Sequence, residues 1–209
     1  MATTRSFAEN GVRGFLHEAG ARGPGLVLTH GAGANCQAPL LVEAANAFAA
    51  AGVSVLRCDL PFRQQRPTGP PMRGSAAEDR AGLRRAIEAL RALGRAPLLL
   101  GGHSYGGRQA SMLAAEDPTV AHALLLLSYP LHPPKKPQQM RTDHLPRLET
   151  RAVFVHGTHD AFGTIAELEP AIALIRAPTR LIPVDGAGHD LRRGRIDFAP
   201  IVAALLGAP

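Results

Sequence analysis

Six short apolar runs in this chain lack the polar alternation of a half-exposed strand. They are Gly25–Thr29, Val53–Arg57, Pro97–Leu100, Ala123–Ser128, Ala152–His156 and Arg180–Val184. Uninterrupted runs of this kind are what strands buried on both faces look like, and a parallel sheet is where such strands occur. Between and after them lie longer, mostly Ala-rich segments of helical character: Pro39–Ala51, Ala76–Leu93, Gly107–Glu116, Ile165–Ile175 and Ile196–Leu206. Strands alternating with helices predict an α/β architecture with right-handed crossovers and helices on both faces of the sheet. Near the start, Asn10-Gly11 within Ser6–Glu18 is a type I′ hairpin signal and adds one or two antiparallel edge strands. The expectation is one domain over residues 1–209, with a mostly parallel sheet of seven or eight strands.

Composition narrows the class. With 209 residues, 45% of them hydrophobic, the chain can bury a substantial core, and global disorder is excluded. No apolar run approaches the roughly 20 residues of a membrane span. The N-terminal residues lack an apolar signal segment, and two cysteines, Cys36 and Cys58, make no disulfide framework, so the expected compartment is the cytoplasm. The net charge is +6, and only Lys135 and Lys136 among the 23 basic residues are lysines. The arginines are dispersed, and with no Trp there is little on which bases could stack, so no nucleic-acid partner is expected.

The sharpest local pattern is Gly102-His103-Ser104-Tyr105-Gly106, placed directly between an apolar run and a helical segment. A Ser exposed at such a strand-to-helix turn is a nucleophile elbow. Small residues two before and two after let the strand and helix approach, and the helix N-terminus favours developing negative charge. A serine nucleophile needs a base, and the base needs an acid to orient it. Asp160 and His189 each follow an apolar run, at strand-end positions and in the order Ser, Asp, His. Asp143 and Asp185 are the rival acids, one in a Pro-rich loop and the other four residues from His189. His156 and His159 lack the third ligand and the H-E-x-x-H spacing of a zinc site, so no metal and no cofactor are expected.

These motifs, with His30-Gly31-Ala32-Gly33, Asp59-Leu60-Pro61-Phe62-Arg63 and Gly186-Ala187-Gly188-His189-Asp190, resemble the α/β hydrolases along nearly the whole chain. Within them the chain resembles the small KANL3/Tex30-like branch, which is related to dienelactone hydrolase. The resemblance implies Ser104 as nucleophile, His189 as general base and acid, and Asp160 as its partner. It also implies an oxyanion hole from the backbone N–H groups of Tyr105 and Ala32. Gly31, Arg63 and His103 are assigned to the substrate-facing surface. Neither cysteine sits in the elbow, so a thiol nucleophile does not fit.

Two Pro-rich loops, Leu60–Ser75 and Tyr129–Thr150, leave strand ends that form the ligand-binding rim of an open α/β sheet. The second is too short and too rich in proline for a helical cap domain, so the site should be open. Arg63, Arg66, Arg73, Lys135, Lys136 and Arg141 make this rim basic. Such a rim either favours anionic acyl substrates by its field or is merely solvated. The expected activity is hydrolysis of a carboxylic ester or thioester on a small acyl substrate. The alternative is a non-catalytic interaction module on the same fold, since the branch resembles proteins that serve as complex subunits.

Overall fold

A computed structural model describes residues 3–207. An eight-stranded sheet forms its centre, in the order β1-β2-β4-β3-β5-β6-β7-β8. The strands are β1 (Thr3–Glu9), β2 (Val12–Glu18), β3 (Gly23–Thr29), β4 (Ser54–Cys58), β5 (Arg95–His103), β6 (Ala123–Leu127), β7 (Arg151–Gly157) and β8 (Thr179–Val184). The pairings β1–β2 and β2–β4 are antiparallel and all the others are parallel. Asn10 and Gly11 both take positive φ, 50° and 75°, which is the backbone a type I′ turn demands between β1 and β2.

The helices are α1 (Pro39–Ala50), α2 (Pro61–Gln65), α3 (Ser75–Ala92), α4 (Tyr105–Glu116), α5 (Ile165–Ile172) and α6 (Phe198–Leu206). Successive strand residues point to opposite faces, and here both faces are covered. Leu26 and Leu28 of β3 pack with Leu41 and Phe48 of α1 and Ile201 and Leu205 of α6. Val27, between them, belongs to the opposite cluster, with Leu83 and Ile87 of α3 and Leu113 of α4. Each of these leucines and isoleucines is almost fully buried, contributing on the order of 2 kcal/mol. That is the physical origin of the uninterrupted apolar runs.

Most elements shift by one to three residues from their sequence-based bounds, and two departures are larger. Strand β5 extends from Arg95 to His103, because Gly101 and Gly102 continue the ladder to β6 although neither favours a strand by composition. Helix α2 is a five-residue turn inside the first Pro-rich loop, with Pro61 in its first turn where the missing N–H costs nothing. Among the described residues, the β6–β7 connection holds only a short 3₁₀ turn, Leu145–Arg147, and no cap.

Candidate active site

Strand β5 delivers Ser104 to the N-cap of α4 with φ 51° and ψ −116°, a conformation that costs a non-glycine residue on the order of 1–3 kcal/mol. The surroundings enforce it. Ser104 N–H donates to Leu127 O at 2.8 Å, pinning the turn to the end of β6. A Cβ at Gly102 would lie 2.8 Å from Thr29 O, and one at Gly106 would lie 2.6 Å from His30 O. Only glycine at both positions lets β3 and α4 close on the turn from either side.

Asp160 ends a turn after β7, and its carboxylate is fully buried. Phe162 N–H donates to Oδ1 at 2.8 Å and fixes the carboxylate plane. The loop after β8 carries His189 and is laced to the Asp160 turn. His159 N–H donates to Ala187 O at 2.9 Å, and Gly186 N–H to Thr158 Oγ1 at 3.0 Å. His189 Nδ1 lies 2.8 Å from Asp160 Oδ2 and 3.0 Å from Oδ1, and Nε2 lies 2.7 Å from Ser104 Oγ. An ionised carboxylate accepts only, so Nδ1 carries the proton and Nε2 faces the hydroxyl as an acceptor. Phe162 stacks on the imidazole, with centroids 4.0 Å apart.

The two histidines around this relay have other partners. His103 Nε2 donates to His189 O at 2.7 Å, holding the His189 loop, and burial pushes its pKa down to about 4. His156 is fully buried beneath Asp160, its Nε2 2.8 Å from Gly163 O and 3.5 Å from Asp160 Oδ2, and burial lowers its pKa. Both are held neutral at pH 7. Burial and the nearby Asp59 push the Cys36 thiol up to about 12, and Cys58 is pushed up further, so neither is a thiolate.

A cavity of about 530 Å³ opens over Ser104 and His189, with Gly31, Ala32, His103 and Tyr105 in its wall. Tyr105 is the first residue of α4, so its N–H has no intrahelical acceptor. Its phenol donates to the buried Asp79 at 2.7 Å, which also accepts from Phe62 N–H, tying the elbow to α2 and α3.

Arg63, assigned above to the substrate-facing surface, is engaged elsewhere. Its side chain donates to four carbonyls, Ala34 at 2.7 Å, Ala32 at 2.8 Å, Gly69 at 2.9 Å and Arg66 at 3.0 Å. It is 5% exposed and straps the Gly31–Ala34 loop to the first rim loop. Of the rim cations, Arg141 lines the cavity, joined by Arg108 of α4. Arg108 and Phe162 were missed from sequence. Arg108 is one helical turn after Ser104, a spacing that puts both on one face.

The alpha/beta hydrolase domain model matches residues 22–197, most of the chain. The chain belongs to the alpha/beta hydrolase family. Several solved structures share this fold at low identity. The dienelactone hydrolase of Anabaena variabilis superposes with a TM-score of 0.73 at 20% identity, covering 100% of this chain and 95% of that one. The Thermus thermophilus protein TT1662 gives 0.74 at 21%, covering 100% and 95%. Est1E of Butyrivibrio proteoclasticus, with ferulic acid bound, gives 0.75 at 16%, covering 96% of each chain.

Proposed function

We propose that this hydrolase, one domain over residues 1–209 in the KANL3/Tex30-like branch, cleaves a small carboxylic ester or thioester through a covalent acyl-enzyme. The observation that carries the reading is the unbroken relay from Ser104 Oγ to His189 to the buried Asp160 carboxylate. As Ser104 Oγ attacks the scissile carbonyl, His189 Nε2 takes its proton, and Asp160 stabilises the imidazolium formed. The tetrahedral oxyanion lies between the N–H groups of Tyr105 and Ala32, beside Gly31 and His103 in the cavity wall. His189 then returns the proton to the departing alcohol or thiol. Water, deprotonated by the same nitrogen, releases the acid and restores the serine. The described residues hold no cluster of metal-ligating side chains, and no step here uses a metal. That Est1E binds ferulic acid on the same fold supports a small acyl substrate.

Incubation with a fluorophosphonate probe, followed by mapping of the adduct, tests this directly. Covalent label on Ser104 is expected, absent in Ser104→Ala and strongly slowed in His189→Ala. A folded wild-type protein that takes no label overturns the reading.

A further inference from the structure

The cavity holds two cations with no counter-charge. Arg108 follows Ser104 by one turn of α4, and helical side chains lean toward the helix N-terminus, so its stem runs back toward the elbow. Its Nε is buried without a hydrogen-bond partner. Arg141 reaches the same cavity from the β6–β7 loop, where Arg141 N–H donates to Leu131 O and Tyr129 O–H donates to Arg141 O, both at 2.8 Å. One guanidinium nitrogen of Arg141 makes a long 3.3 Å contact to Pro130 O. Among the described residues, neither guanidinium pairs with a carboxylate, whereas Arg5, Arg80, Arg84, Arg85, Arg91, Arg95 and Arg192 all do. Burial and the Arg108 charge together lower the pKa of Arg141, a cost of holding two like charges in one cleft.

An uncompensated guanidinium pair with a buried donor fits one ligand chemistry best. A carboxylate accepts parallel N–H donors from arginine and neutralises both charges. We propose that Arg108 and Arg141 form a carboxylate-binding subsite, so that the ester cleaved at Ser104 carries a carboxylate within a few atoms of its scissile carbonyl. This rests on the hydrolase reading above and adds the class of substrate. It replaces a diffuse field from the rim by two donors in the cavity wall. The strapped Arg63 takes no part in it.

The test compares kcat/KM for charged and neutral esters matched in length. One arm places the carboxylate on the acyl half (mono-p-nitrophenyl glutarate against p-nitrophenyl pentanoate). The other places it on the leaving half (2-acetoxybenzoate against phenyl acetate). Wild type is expected to prefer the charged ester in at least one arm. That charged-to-neutral ratio should fall at least tenfold in Arg108→Gln and in Arg141→Gln. Arg108→Lys, which keeps the charge and the stem, should lose less. A ratio that none of the three variants moves overturns the subsite. Calorimetric binding of glutarate to Ser104→Ala separates this proposal from the one it rests on. If Ser104 never labels and no ester is cleaved, the hydrolase reading falls, and glutarate binding abolished by adding Arg108→Gln still supports the subsite. Glutarate that does not bind, or binds equally without Arg108, overturns it.

Discussion

The two ends of the sheet both carry basic clefts, and they are built to opposite ends. At the N-terminal strand ends a cavity of about 670 Å³ is lined by Arg91, Arg95, His122 and Arg151. At the C-terminal ends the cavity over Ser104 is smaller, about 530 Å³. In the larger cleft the guanidiniums are structural. Arg95 donates to Gly20 O and pairs with Glu18, Arg151 donates to Leu205 O, and Arg91 pairs with Glu88. In the smaller one Arg108 and Arg141 lack carboxylates, Ser104 sits in a strained conformation, and His189 Nε2 faces its hydroxyl. The volume of a cavity does not mark a site; strain and unmatched charge do.

The largest expected effect falls on the relay. Asp160→Asn keeps the shape and the acceptor for Phe162 N–H, but its amide NH₂ can donate to His189 Nδ1. That switches the proton to Nε2, which then cannot accept from Ser104. We expect kcat/KM on p-nitrophenyl esters to fall on the order of 10,000-fold with little change in Tm. A fall under tenfold would remove Asp160 from the mechanism. Next comes Arg63→Met, which strips the four carbonyls of their donor and frees the Ala32 loop. The expected cost is about 2–4 kcal/mol in stability and roughly 10–100-fold in kcat, read by denaturant unfolding and steady-state kinetics. Unchanged kcat would show that Arg63 braces only the fold.

Strands buried on both faces were legible because the pattern that betrays them is local. Gly102 and Gly106 were legible for a similar reason, since a close approach of two backbones leaves only glycine. The convergence of Ser104, Asp160 and His189 was legible because each follows an apolar run, and strand ends in a parallel sheet share one edge. Arg63 was misread, because a sequence displays a charge but not the carbonyls that will surround it. Those of Ala32 and Ala34 come from a loop some 30 residues away. Arg108 was within reach through its spacing from Ser104, but its lack of a partner is a tertiary fact. Helix α2 had no sequence signature, being one turn among prolines.

A smaller effect tests the buried histidines on the site side. His103 and His144 are both held near pKa 4, mainly by burial, against about 6.5 in the unfolded chain. The unfolded state therefore binds more protons between these values, so stability is complete above about pH 6.5 and declines as pH falls toward 4. Each contributes at most about 3 kcal/mol across that window. In His144→Gln, urea midpoints measured from pH 7 to pH 4.5 should fall less steeply than in wild type. Equal slopes would mean that His144, whose Nε2 lies 2.8 Å from Ser111 Oγ, is not buried neutral.

The smallest effect bears on the opposite end of the sheet. Arg95 is 5% exposed and contacts Gly20 O and Glu18, both outside the candidate site. Arg95→Met keeps the aliphatic stem that packs beneath β3 and removes the donor. Gly20 O sits at an exposed turn where water replaces the lost bond, so the penalty should be modest, about 1–2 kcal/mol. Tm should drop by a few degrees, while kcat/KM stays within twofold for charged and neutral esters alike. The result to look for is the contrast with Arg108→Gln, which should alter ester preference. If Arg95→Met instead changed that preference, the larger cleft would have to communicate with Ser104 through β5, the strand that begins at Arg95 and ends beside Ser104. The distinction between an arginine that holds the fold and one that recognises a substrate would then fail for this protein.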